Sequence, residues 1–137
     1  MHPGGPFWAN RDLGAWSIPK GEYQQGEDPL TAALREFEEE TGQRPPGGRA
    51  LELGTVRQRG GKVLDAWALA GDLDAAATTS NTFTMEWPPR SGKRREFPEV
   101  DRAGWFDPEA AREKLVAAQA ELVDRLLATL AEQERGR

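Results

Sequence analysis

The sequence predicts an α/β domain in which short strands lie between two helices. Three features indicate this class: helix-capping residues around 29–41, two strand-like runs joined by a glycine pair within 51–70, and leucines at helical spacing beyond residue 107. Strands placed between helices in this order favour a mixed sheet with helices on both faces. The 137 residues suit one core, so residues 1–137 are expected to form a single domain.

The first 20 residues are rich in glycine, proline and aromatic side chains. A short strand is predicted at 15–18 and is ended by Pro19. His2, the only histidine, is expected at a mobile terminus and receives no function. The next element is a helix at 29–41, because Asp28 suits the N-cap and Gly42 the position just past the end.

The pattern of residues between 51 and 106 predicts strands and turns. Runs at 51–59 and 62–70 flank Gly60 and Gly61, which predicts a β-hairpin with a tight two-residue primed turn. Trp67 and Trp105 fall in predicted strands and are expected to have structural roles. Further along the chain we expect a strand at 81–87, a basic loop at 88–95 and a short strand at 102–106.

The C-terminal part predicts a long helix. Asp107 and Pro108 repeat the cap-plus-proline signal, and apolar residues then recur at helical spacing almost to the end of the chain. A break in this helix is expected near Val116.

Composition narrows the class of protein. A net charge of −5 disfavours a protein that binds long nucleic acid, because that affinity needs clustered lysine and arginine. The charge is compatible with a small phosphorylated ligand that binds together with a divalent cation. The absence of cysteine excludes disulfides and thiolate metal sites and favours the cytoplasm. No apolar run reaches the length of a membrane span, so no membrane partner is expected.

The helix at 29–41 carries a concentration of glutamates. At roughly 100° per residue, Glu39 and Glu40 fall within about 60° of Glu36, while Leu34 and Phe37 lie on the opposite side. Most such runs are solvated charged faces. The alternative is a site for Mg²⁺ or Mn²⁺, which prefer oxygen ligands from a few carboxylates.

The segment 21–43 contains glycines, glutamates and an arginine in the pattern G-x5-E-x7-R-E-U-x-E-E-x-G-U, where U is a bulky apolar residue, and this pattern resembles the signature of the Nudix hydrolases. The last apolar position is occupied by Gln43, which affects local packing. The resemblance implies an α/β/α sandwich with a mixed sheet between helices. The fixed identities all match: Gly21, Glu27, Arg35, Glu36, Glu39, Glu40 and Gly42.

The resemblance also implies an activity and a cofactor. The family cleaves a phosphoanhydride in a nucleoside diphosphate linked to another group, here a dinucleoside polyphosphate or a nucleoside triphosphate, with Mg²⁺ or Mn²⁺. The implied metal ligands are the Gly21 carbonyl and the carboxylates of Glu36, Glu39 and Glu40. Glu36 and Glu39 are the implied catalytic residues of the helix, and the general base is either Glu36 or Glu99.

The remaining site residues come partly from positions that match the family and partly from residue type alone. Arg35 and Glu27 would orient the carboxylates and the preceding loop, and Gly42 would end the helix. Lys20 lies where a cation could meet a polyphosphate. The surrounding W-x-x-P-K-G resembles the dinucleoside polyphosphate hydrolases, the cap-hydrolysing branch and some nucleotide-sanitising members. Arg90 could reach distal phosphates and Trp87 could stack on a base, although a basic loop is more often simply solvated.

One feature departs from the resemblance. The family has one or two strands before its signature, but only 20 residues precede Gly21, so the N-terminal strands are expected to be shortened or missing. An unpaired sheet edge invites pairing with a second copy, and a homodimer is therefore expected. A catalytically silent nucleotide-sensing module of the same fold is the alternative function; a metal-buffering acidic protein would leave Gly21, Arg35 and Gly42 unexplained.

Overall fold

The computed structural model describes residues 1–20 and 26–136. These residues form the expected α/β class, with strands between an early helix and a helical C-terminus. The helices are α1 (Pro29–Thr41), α2 (Pro108–Lys114) and α3 (Ala117–Arg135). The strands are β1 (His2–Pro3), β2 (Leu51–Arg57), β3 (Val63–Ala68), β4 (Thr82–Glu86), β5 (Arg94–Pro98) and β6 (Val100–Arg102).

The strands form separate two-stranded pairs and not the single mixed sheet that we expected. Within the described ranges, β1 pairs with β6, β2 with β3 and β4 with β5, and each pair is antiparallel. β1 has only two residues, in keeping with the expected shortening of the N-terminal strands. The strand predicted at 15–18 is reduced to one parallel bridge between Trp16 and Leu115.

Helix α1 has the predicted bounds because both of its ends are capped. The Asp28 carboxylate accepts a 3.1 Å hydrogen bond from the Thr31 N–H, and Gly42 adopts φ 72° while its N–H donates to the Glu38 carbonyl at 2.8 Å. The end of α1 is also tied to the next part of the chain, since the Thr79 N–H donates to the Thr41 carbonyl at 2.9 Å. These contacts fix where the glutamates of α1 point.

The hairpin of β2 and β3 is confirmed, but its predicted two-residue turn is wrong. Arg57 pairs with Val63, so the five residues 58–62 connect the strands, and the Gln58 N–H donates to the Lys62 carbonyl at 2.7 Å within this connection. This register places Val56 opposite Leu64, and both side chains are buried. A two-residue turn would slip the pairing by one position and set Val56 against a charged residue.

The predictions for 88–95 and 102–106 also need correction. The basic segment is a loop only as far as residue 93, because Arg94 and Arg95 belong to β5 and pair with β4. Charged residues fit there since the exposed side of a two-stranded ladder remains in water. Residues 103–106 form no strand, and Trp105 is 64% exposed rather than structural core, with its indole N–H donating to the Leu73 carbonyl at 3.0 Å.

The main buried cluster joins β2 and β3 to α3, and its members are Val56, Leu64, Ala66 and Leu122. The helical region breaks between α2 and α3 at 115–116, as predicted. Near this break, buried Gln119 accepts a 2.9 Å hydrogen bond from the Ile18 N–H. None of the described helices is long and apolar enough to cross a membrane.

The expectation of a mobile terminus around His2 is wrong. The side chain of His2 is fully buried, and its ring nitrogens lie 2.9 Å from Asp101 Oδ1 and 2.6 Å from the Arg11 carbonyl oxygen. The ring also packs edge-on against Trp16 at 5.1 Å between centroids. His2 therefore links β1 to β6 and to the segment that contains Arg11.

We predict that Gly42→Ala destabilises the protein more than Gly14→Ala. Both glycines have positive φ, 72° and 67°, but a Cβ on Gly42 would lie 2.1 Å from Thr79 Oγ1, whereas a Cβ on Gly14 meets nothing within 4 Å. The backbone conformation costs about 1–2 kcal/mol in each case, and the clash adds about 1–3 kcal/mol at Gly42 alone. Urea unfolding measures both free energies; equal losses would contradict the prediction.

Candidate functional site

A single guanidinium organises the carboxylates of α1. Arg35 donates from Nε and Nη2 to the two carboxylate oxygens of Glu27, each at 2.9 Å, which is a bidentate pair. Its Nη1 donates to Glu36 Oε1 at 2.8 Å and to Glu39 Oε2 at 3.1 Å. The hydrogen bonds to Glu27, followed by those to Glu36 and Glu39, raise the pKa of Arg35 above its usual value.

Glu40 lies in a different environment from Glu39. Its Oε2 accepts a 2.7 Å hydrogen bond from the Lys20 N–H. Burial raises the pKa of Glu40 to about 7, and repulsion from Glu36 and Glu99 adds to this effect, while Lys20 opposes it. Burial likewise raises the pKa of Glu36, with further contributions from Glu39 and Glu99.

These electrostatic contributions mean that Glu99 lies near the carboxylates of α1. Glu99 is the single residue between β5 and β6, and its main chain is held on both sides. Its N–H donates to the Asn81 carbonyl and its carbonyl accepts from the Gly4 N–H, both at 2.9 Å. Sequence reasoning missed these two supporting residues, because backbone partners leave no residue-type signal.

The donor chemistry of the site fits a hard divalent cation. Glu36, Glu39 and Glu40 offer oxygen ligands, and the raised pKa values of Glu36 and Glu40 come partly from crowded like charge, which a cation relieves. The carboxylate oxygens do not converge on one point, because within residues 1–20 and 26–136 no three acidic or histidine side chains lie close enough together to bind one metal ion. Gly21, the predicted carbonyl ligand, lies outside the described residues.

The predicted substrate-binding residues fall into two groups. Lys20 lies at the carboxylates, since its main chain contacts Glu40 and its charge acts on the same side chain. Trp87 and Arg90 lie instead at the tip of the β4–β5 ladder, while Glu99 follows its base. The ladder from Pro98 to Arg94 is about 13 Å long at 3.3 Å per residue, so the structure does not bring these two residues to the carboxylates.

A cavity of about 440 Å³ lies on the other side of α1. Its walls include Leu34 and Phe37 of α1, Trp67 of β3 and the exposed Trp105. The apolar side of α1 therefore faces β3 across this cavity. The cavity is apolar and its lining includes none of the glutamates of α1, so it is separate from the proposed chemistry.

Comparison with known proteins identifies the type of domain. The family described as NUDIX domain matches residues 5–126. Nudix hydrolase 25 of Arabidopsis thaliana is 59% identical over 29 residues, which are 21% of this chain and 17% of that protein. RNA pyrophosphohydrolase of Roseobacter denitrificans is 50% identical over 36 residues, which are 26% of this chain and 22% of that protein.

A third relative is named for a different activity. Octanoyltransferase of Myxococcus xanthus is 34% identical over 102 residues, covering 74% of this chain but 25% of that protein. The matched segments therefore span a quarter or less of all three relatives. No solved structure is significantly similar to the chain.

We predict that Arg35→Lys lowers the melting temperature and loses its coupling to Glu27. Lysine supplies a point charge and cannot hold Glu27 in a bidentate pair while also reaching Glu36. A double-mutant cycle with Glu27→Gln, followed by thermal unfolding, should give non-additive losses. The matched control is Arg112→Lys, whose exposed guanidinium pairs with Asp124 and should change the melting temperature little. Additive losses at Arg35 and Glu27 would contradict the prediction.

Proposed function

Because the chain belongs to the Nudix family, we propose that it is a divalent-metal-dependent hydrolase of a phosphoanhydride bond. The substrate is a nucleoside diphosphate linked to another group. The observation that carries this proposal is the carboxylate side of α1, where Arg35 holds Glu36 and Glu39 and where Glu40 and Glu99 lie close by.

The substrates to test first are dinucleoside polyphosphates and nucleoside triphosphates. The name of the Roseobacter relative adds the 5′-pyrophosphate of RNA to this set. The residues of the site do not support an octanoyltransferase activity. The chain has no cysteine nucleophile, and its one histidine contacts Asp101 and the Arg11 carbonyl rather than a serine hydroxyl.

The proposed cofactor is Mg²⁺ or Mn²⁺, held by Glu36, Glu39, Glu40 and the Gly21 carbonyl. When bound, the ion neutralises phosphate charge and makes a coordinated water more acidic. Glu36 and Glu99 are the two candidates for accepting the proton of the attacking water, since both lie at the carboxylate side of α1. Glu39 and Glu40 serve as ligands in either case.

The supporting residues act by position and charge. Arg35 orients Glu36 and Glu39, and Glu27 in turn fixes Arg35 through its bidentate pair. Gly42 ends α1 directly after Thr41, which keeps the carboxylates on the last turns of the helix. The ammonium of Lys20 lies near Glu40 and would meet a substrate phosphate.

A catalytically silent nucleotide-sensing module is the second candidate. One observation favours it, namely that β1 has only two residues, so the strand before the motif is shortened. The two functions differ in turnover and not in binding, so one experiment separates them.

We predict hydrolysis of at least one nucleotide in a screen with Mg²⁺ and Mn²⁺, and a loss of kcat on the order of 100-fold in Glu39→Gln, because a charged group that acts on the transition state is removed. Glu38→Gln is the matched control, since Glu38 is exposed and points away from the carboxylates. Its kcat should be unchanged. Tight nucleotide binding without turnover would support the sensing module, and the absence of Mg²⁺ or Mn²⁺ uptake in calorimetry would overturn the hydrolase.

We further propose that residues 1–137 act as one cytoplasmic domain and that two copies associate. In the described residues each strand ladder has two members, so strand edges remain without a β-partner there. Light scattering across a range of concentrations should reveal a dimer mass. A monomer mass at every concentration would contradict association.

A further inference from the structure

The segment 7–11 contacts the end of the β4–β5 hairpin through Phe7 and Trp87, and both segments carry aromatic rings and cations. Phe7 is 63% exposed and packs edge-on against Trp87 at 5.5 Å. Trp8 is 39% exposed, and the Arg11 guanidinium lies 5.6 Å from its ring centroid. On β5, Arg95 lies 5.6 Å from the ring of Phe97 in the same way. We call this region the hairpin surface.

The tip of the hairpin concentrates positive charge. Four cations lie within six residues, namely Arg90, Lys93, Arg94 and Arg95, and all four are exposed. Within the part of the chain that the structure describes, none of the four forms an ion pair. Arg94 lies opposite Glu86 in the ladder, but the two side chains form no salt bridge. In a chain with net charge −5, such a cluster indicates an anionic partner.

The aromatic side chains decide which anionic partner fits. A solvated basic loop needs no exposed rings beside it, and inorganic polyphosphate offers no flat surface to stack on them. A single-stranded nucleic acid has both features, because its backbone is anionic and every base presents a π-face.

We propose that the hairpin surface binds a single-stranded oligonucleotide. Phe7 and Trp8 stack on bases, while Arg11 and the four tip cations contact the phosphates. The negative charge of the whole chain predicted no binding of long nucleic acid, but binding depends on local clusters of cations and not on the average. Binding at this surface is independent of hydrolysis; β5 runs from it toward Glu99, so delivery of a strand end to the carboxylates rests on the proposed function.

The test is fluorescence anisotropy with single-stranded RNA and DNA of about 12 nucleotides, in EDTA so that no hydrolysis takes place. We expect binding that weakens with salt. Lys93→Glu/Arg94→Glu should weaken it at least 10-fold and reduce the slope of log affinity against log salt by about 0.7 for each phosphate that the protein no longer neutralises. Trp8→Ala should weaken binding about 5-fold or more with an unchanged salt slope, because stacking carries no charge.

The matched control is Arg44→Glu/Arg49→Glu, which makes the same charge change at two exposed arginines outside the hairpin surface. It should retain most of the affinity, and circular dichroism of all variants should match that of the unaltered protein. Three results would overturn the proposal: no binding at low salt, an equal loss in the control, or binding to anionic phospholipid vesicles in place of oligonucleotides. Preference between the RNA and DNA arms identifies the strand, since only RNA offers a 2′-hydroxyl.

Discussion

The ion-pair network of Arg35 is the constraint on which the rest of the candidate site depends. Glu36 and Glu39 lie within one turn of a helix, where like charges repel by a few tenths of a kcal/mol per pair. One guanidinium offsets this repulsion by holding both of them, and its bidentate pair with Glu27 fixes its own direction. A negative surface is thereby kept in a defined shape, as a metal-dependent phosphohydrolase would require.

Helix α1 separates two regions with different chemistry. Its charged side contacts the Lys20 main chain and is repelled by the charge of Glu99, and its apolar side faces β3 across the cavity of about 440 Å³. The capped ends of α1 and the contact between Thr41 and Thr79 hold this division in place. The position of the charged side chains therefore depends on backbone contacts made far from them in sequence.

Charge on this protein is distributed unevenly, and the local charge of each region decides binding more than the net charge does. Four glutamates lie on α1, whereas four cations lie at the tip of the β4–β5 hairpin beside exposed aromatic rings. A net value of −5 describes neither region. Electrostatic attraction is screened over about 8–10 Å in physiological salt, so each patch acts on its own partner.

The sequence by itself determined the features that depend on neighbouring residues: the bounds of α1, the break before Val116, and the family motif with its carboxylates on one side of a helix. Its errors concern contacts between distant segments, which local patterns do not encode. Only the tertiary structure buried His2 between Asp101 and Arg11, chose the hairpin register through Val56 and Leu64, and brought Glu99 near Glu36. Those outcomes follow from burial and pairing across the chain, because a side chain's surroundings are decided by whichever segments pack against it.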